Sequence, residues 1–157
     1  MKKQFLPLML LASAICSCSE KQPETTEPMI TKTEIQVENG LLTPEIMHRL
    51  GKVGDVQVSP NHAKILYGVT YTSIEQNKGN RELYLMNVDG SENVKITNTP
   101  KSESNARWIN DSQIIYMRSG KLYTATIEGS TLKNEKEVAG AEGMESFELS
   151  PAGDKLM

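Results

Sequence analysis

The sequence predicts an all-β protein: a partial β-propeller of about two and a third four-stranded antiparallel blades, preceded by a short helix and a disordered tether. Three observations predict it. From Val53 onward, short apolar-rich runs alternate with polar turns. A Ser-Pro turn follows the first strand of two separate units, as Ser59-Pro60-Asn61 and as Ser150-Pro151-Ala152-Gly153. Matching first-strand positions lie 50 residues apart from Val58 to Trp108 and 41 apart from Trp108 to Leu149. That spacing falls in the period of propeller blades, about 40–50 residues. A β-sandwich also repeats strands and turns, but it gives no reason for the same turn to follow the same strand of each unit.

Residues 1–17 read as a lipoprotein signal peptide. Lys2 and Lys3 supply the positive start, and residues 5–15 form an apolar stretch too short to span a bilayer. Ile15-Cys16-Ser17-Cys18 follows and resembles the bacterial lipobox, with an aliphatic residue three before the modified cysteine and a small residue directly before it. Cys18 is therefore the expected lipid attachment site and the acyl chains the expected membrane contact. Cys16, preceded by Ser13 and Ile15 in those places, matches less well. The competing reading is a plain secretory signal with two incidental cysteines. The expected location is the bacterial cell envelope, and Ser19 after the modified cysteine leans toward the outer membrane, on its periplasmic or surface side.

Residues 18–40 are rich in Thr, Glu, Lys and Pro and poor in large apolar side chains. Such a segment buries too little surface to offset its ordering entropy, and it is expected to be a flexible tether. Residues 41–52 hold the one expected helix, capped by Thr43, with Pro44 in its first turn and Gly51 closing it. Ile46, Met47 and Leu50 share its apolar face.

An incomplete propeller is expected over residues 53–157, with blades at about 53–99, 100–140 and 141–157. The central hairpin is RELYLMNVDGSENVKITN, residues 81–98. Leu83 and Leu85 fill one face of its first strand, and Tyr84, Met86 and Val88 the other, as in a strand between stacked sheets. Asp89-Gly90 permits the turn, and Val94 to Thr97 alternates as a half-buried return strand. Residues 73–80 read as a polar loop. In the second blade, 106–109, 113–118 and 121–127 are strands, with Ser119-Gly120 as the tight turn, and 135–139 is a weaker fourth. The third unit begins at 145–149 and reaches Lys155-Leu156-Met157 where its second strand should start. The chain is accordingly read as an amino-terminal fragment. Phe147, Leu149 and the far face of the second blade are expected to remain in water.

Composition narrows the function classes. Hydrophobic residues at 38% and charged residues at 24% exclude wholesale disorder. A net charge of -3 argues against a nucleic-acid partner, which needs clustered Lys and Arg. Asn87-Val88-Asp89-Gly90 lacks a side-chain oxygen at the first position of a calcium loop, since Leu85 stands there. Asn110-Asp111-Ser112 fits a glycosylation acceptor but reads better as a turn beside a bacterial export signal. Trp108 is expected to be a packed indole on an inner strand. The charged residues at 133–142 read as a solvated edge. His48 and His62 have no clustered ligands around them in the sequence, so no metal, cofactor or catalytic residue is assigned.

Four segments carry a family resemblance: VSPNHAKILYG, RELYLMNVDGSENVKIT, ARWINDSQIIYM and FELSPAGDKL. They are similar to blades of Tol-type periplasmic propellers. They resemble more closely the N-terminal propeller of prolyl oligopeptidase-family serine peptidases, including bacterial dipeptidyl and acylaminoacyl peptidases. LLTPEIMHRLGKVGDVQVSP is the most specific segment, because a Leu-Thr-Pro-Glu helix commonly leads into the first blade there. The resemblance runs from Leu41 to Met157. It implies a propeller followed by an α/β-hydrolase domain with a Ser-Asp-His triad. This chain has no Gly-x-Ser-x-Gly, and both histidines fall in or before the first blade, where the family keeps no triad member. The implied function is the non-catalytic propeller of a membrane-anchored exopeptidase, restricting the entry of peptide substrates to a hydrolase domain outside this chain. The alternative is a non-enzymatic propeller lipoprotein that binds a partner protein in the envelope.

Overall fold

Among the described residues, eight strands follow one short helix, each strand pairing with its neighbour in the chain. The computed structural model describes residues 28–150, 152–153 and 155–157. The signal segment, the cysteines and the start of the tether lie outside the described residues. The first sheet comprises β1 (Lys52–Val58), β2 (Lys64–Ser73), β3 (Lys78–Asn87) and β4 (Val94–Lys95). The second comprises β5 (Glu103–Trp108), β6 (Gln113–Arg118), β7 (Lys121–Glu128) and β8 (Thr131–Glu137). Both are antiparallel meanders in sequence order. Among the described residues the chain is thus all-β with almost no helix, as the alternating runs predict.

Turn chemistry fixes the registers. Ser119 and Gly120 both take positive φ, 53° and 71°, between Arg118 and Lys121, which face each other across the hairpin. Positive φ at both central residues defines the type I′ turn, whose twist matches that of the strands it joins. At Asp89-Gly90 the turn opens earlier than the sequence suggests. The Gly90 N–H donates to the Asn87 carbonyl and the Asn87 N–H to the Ser91 carbonyl, both at 2.9 Å. Val88 therefore stands in the turn, 52% exposed, and not on a covered strand face.

Other boundaries also move. Thr70, Tyr71, Thr72 and Ser73 pair with Arg81, Asn80, Gly79 and Lys78, which shortens the expected 73–80 loop to residues 74–77. β8 begins at Thr131, straight after the Gly129-Ser130 turn, four residues before the expected fourth strand. The helix α1 spans Pro44–Arg49, with the Thr43 hydroxyl accepting from the Ile46 N–H at 3.3 Å. Gly51, one place after the C-cap Leu50, does not close it with a left-handed turn, because its φ is not positive and the chain is already extended at Leu50. Gly51 is needed for close approach instead: a Cβ there would lie 2.8 Å from Val69 Cγ1 and 2.9 Å from Tyr71 Cε1. Ile46 is half-buried, while Met47 and Leu50 are exposed.

The sheets stack face to face. Leu66, Leu83 and Leu85 from the first sheet meet Ala106, Trp108, Ile114, Tyr116, Ala125 and Ile127 from the second. The period-two register explains the set: Leu66 pairs Leu85, and Gly68 pairs Leu83, so these share one face. The second sheet's other face carries Ile115, Met117 and Leu122, packed under Ala141 and Phe147. Phe147 is 1% exposed, which corrects the expectation that it stays in water. The chain after β8 crosses back over this sheet and brings Val138, Met144 and Leu149 with it. A third hairpin then starts. Glu148 and Met157 exchange both backbone hydrogen bonds, at 3.0 and 2.9 Å, around the bridge between Leu149 and Leu156.

Candidate functional site

β1, β5 and the segment 147–149 are tied to one another by hydrogen bonds. β1 and β5 carry the same irregularity. The register slips between Gly54 and Gln57 and again between Ser104 and Arg107. The extra residue takes positive φ in both, 51° at Asp55 and 51° at Asn105. Asp and Asn tolerate that region better than most residues, and a bulge there re-aims the side chain. Asp55 Oδ2 accepts from the Asn105 N–H at 3.1 Å. Asn105 Nδ2 in turn donates to the Phe147 carbonyl at 2.8 Å. Trp108 Nε1 adds a bond to the Gln57 carbonyl at 3.3 Å, and the indole is 9% exposed, packed as expected.

The turns after these strands converge at one end. The Asn61 N–H donates to Asp111 Oδ1 at 2.8 Å, joining the first turn to the second. Gly153 of the third turn lies against the second: a Cβ there would be 2.8 Å from the Ile109 carbonyl oxygen. Pro60, Trp108, Ile109, Asp111, Ser150 and Gly153 border an open recess of about 320 Å³. Asn110 and Asp111 are thus turn residues, with Asn110 Oδ1 accepting from the Ser112 and Gln113 N–H groups. Asp89 serves its own turn in the same way, accepting from the Ser91 N–H and hydroxyl. Those two bonds hold its carboxyl below the usual range.

A second polar locus lies between the sheets. Arg81 runs over Gly68 and Gly54, where a Cβ would come within 2.3 Å of Arg81 Nε and 3.0 Å of Nη2. The two glycines leave the channel that its guanidinium occupies, and Nη2 reaches Asp55 Oδ2 at 2.9 Å. On the β8 side, Arg118 Nε meets buried Glu103 at 2.7 Å, and its Nη1 and Nη2 grip Glu135 at 2.9 and 2.8 Å. Its guanidinium also lies 4.9 Å from the Tyr123 ring centroid and 5.6 Å from that of Tyr116. Burial works against the Arg118 charge, but the bonds to Glu135 and Glu103 outweigh it and keep it firmly protonated. Burial, reinforced by the Glu135 carboxylate bonded to its hydroxyl, pushes Tyr116 above a free phenol. Sequence reading missed this network because its members are scattered from Glu82 to Glu135. The available signal was a Glu and an Arg at matching places of facing strands, Glu103 opposite Arg118.

His48 sits on exposed α1, and His62 takes positive φ in the first turn, donating its backbone N–H to the Ser59 carbonyl. Among the described residues no group of three or more His, Cys, Asp or Glu side chains could hold a metal, and no helix is long and apolar enough to cross a membrane. Cys18 lies outside the described residues.

No protein-family model matches the chain. Two curated proteins do. One is dipeptidyl-peptidase 5 of Porphyromonas endodontalis, 30% identical over 97 residues, which is 62% of this chain and 13% of that protein. The other is dipeptidyl-peptidase 5 of Porphyromonas gingivalis, 34% identical over 80 residues, 51% of this chain and 12% of that protein. The chain thus matches about an eighth of the length of these relatives, and over that stretch the similarity supports a dipeptidyl-peptidase relationship.

Proposed function

We propose that this chain is the non-catalytic N-terminal propeller portion of a membrane-anchored serine exopeptidase of the dipeptidyl-peptidase kind. In this reading the stacked four-stranded units are blades, and β1, β5 and residues 147–149 are inner strands around a common axis. A hydrolase domain beyond them cleaves short peptides that the propeller admits. The single observation that carries the reading is the repeated inner-strand linkage, Asp55 to Asn105 and Asn105 to Phe147. It gives the repeat counted in sequence a spatial counterpart, and it falls in a chain related to dipeptidyl-peptidases. Lipid on Cys18 holds the protein to the bacterial envelope, on the outer membrane, through acyl chains alone.

Two experiments test this. The product of the complete gene is expected to hydrolyse dipeptidyl reporter substrates, while residues 18–157 alone do not, because acyl transfer needs an activated nucleophile. A complete product that lacks both Gly-x-Ser-x-Gly and hydrolysis would point to the partner-binding lipoprotein instead. Cys18→Ala is expected to abolish incorporation of labelled fatty acid and to release the protein from the membrane fraction. Labelling that persists in that variant removes Cys18 as the anchor.

A further inference from the structure

The junction between the two sheets holds more carboxylate than cation. Glu82 of β3 and Glu103 of β5 are both buried, 2% and 0% exposed, and the connection between the sheets joins them. Thr99 donates its N–H to Glu82 Oε1 at 3.1 Å and its hydroxyl to Glu103 Oε1 at 2.8 Å. Glu82 is satisfied on both oxygens, by Asn80 Nδ2 and the Thr99 N–H on one and the Thr97 hydroxyl on the other. Glu103 is not. Its Oε1 takes Arg118 Nε and Thr99, but no donor among the described residues reaches its Oε2. Arg118 is shared with Glu135, which takes both of its terminal nitrogens. Arg81, the other cation at this interface, is engaged by Asp55. One guanidinium is therefore shared between Glu103, wholly buried, and Glu135, 36% exposed, and one oxygen of Glu103 is left without a donor among the described residues.

We propose that Glu103 is a proton-binding site at the junction of the two sheets, carrying its proton on Oε2 and making the docking of one sheet on the other pH-sensitive. The groups facing it are Thr99 from the connection, Glu82 from β3, Arg118 and Tyr116 from β6 and, through Arg118, Glu135 from β8 and Tyr123 from β7. A neutral Glu103 leaves Arg118 paired with Glu135 alone and removes the repulsion from Glu82. Ionised Glu103 sets two buried carboxylates on the two polar groups of one threonine, and the connection between the sheets has to yield. Burial first, and then Glu82, push the Glu103 carboxyl above a glutamate's ordinary 4.5 against the opposing bonds from Thr99 and Arg118.

The sign follows from linkage. A carboxyl whose folded value is raised adds stability below its unfolded value, and that stability is lost as pH rises through the folded value. Glu135 behaves oppositely, because Arg118 holds its carboxyl below 4.5, so its contribution is lost only as pH falls through that lowered value. The two effects occupy different windows, Glu103 above 4.5 and Glu135 below it. On the full chain, Tm is expected to fall as pH rises from 4.5 through the Glu103 transition, with unfolding releasing about one proton per molecule in that window. Glu103→Gln, neutral at every pH, is expected to flatten the fall and abolish the proton release. The carboxyl carbon of Glu103, followed by NMR in the unsubstituted protein, is expected to titrate above 4.5 and serves if the variant does not fold. Titration at or below 4.5, with the same Tm profile for wild type and variant, would overturn the proposal.

Discussion

The two sheets share one topology but not one environment. Each is a four-stranded meander whose first strand carries an αL bulge, at Asp55 and at Asn105. Yet the first strand of the second sheet buries Ala106 and Trp108, while that of the first leaves Val53, Val56 and Val58 exposed at 63%, 55% and 50%. The second sheet lies between neighbours, with the first sheet on one side and residues 138–149 on the other. The outer face of the first sheet has, among the described residues, the lead-in around Gly51 against Val69 and Tyr71, and a tyrosine stack of its own, Tyr67 over Tyr84 at 5.5 Å. Burial and the neighbouring phenols Tyr71 and Tyr67, together with Glu82, push Tyr84 up to about 12. In a repeat, what a strand buries is decided by its neighbour in the stack as much as by its own side chains.

Substitutions can break or sharpen this contrast. Phe147→Ala is expected to cost most, about 3–5 kcal/mol, because it empties the cover of the second sheet's far face. Urea unfolding followed by Trp108 fluorescence, with a fall in midpoint at unchanged slope, checks it. Gly68→Val comes next. Its side chain takes the space of the Arg81 guanidinium and separates it from Asp55. A loss of about 1–3 kcal/mol is expected, and Gly68→Val combined with Arg81→Ala should recover part of it. Asn105→Asp keeps a residue that tolerates positive φ but turns the donor to the Phe147 carbonyl into an acceptor. It should cost about 1–3 kcal/mol, and hydrogen exchange should show the third hairpin opening before either sheet. Val58→Thr should change stability by less than about 0.5 kcal/mol. A loss comparable to that of Phe147→Ala would show that the outer face of the first sheet is covered after all.

Much of the fold was legible because it is written in local chemistry. Ser119-Gly120 marks its hairpin, Leu83 and Leu85 alternate toward one face, and Thr43-Pro44 starts the helix. What was missed is non-local or polar. Val88 is apolar but belongs to the turn that Asn87 initiates. β8 holds one apolar residue, Leu132, in an edge strand of Lys, Asn and Glu, and only the Gly129-Ser130 pair announced it. Ser73 and residues 78–80 extend a hairpin with polar side chains that read as loop. The fate of Phe147 depended on the path of residues 138–149, which no periodicity encodes. The Glu103 network was hidden because hydrogen bonding across strands and through Thr99, not sequence spacing, assembles it.

The meander topology also bears on how the chain acquires its structure. Every sheet pairing joins strands adjacent in sequence, and β6 and β7 are separated by two residues. Closing such short loops costs little entropy, so each hairpin can form without waiting for distant partners. The bonds that span about fifty residues, Asn61 to Asp111 and Asp55 to Asn105, connect units that are each already hydrogen-bonded within themselves. Assembly is therefore expected to proceed one meander at a time, with inter-unit bonds forming last. Substitutions at Asp55 or Asp111 should then accelerate unfolding while leaving the refolding rate nearly unchanged.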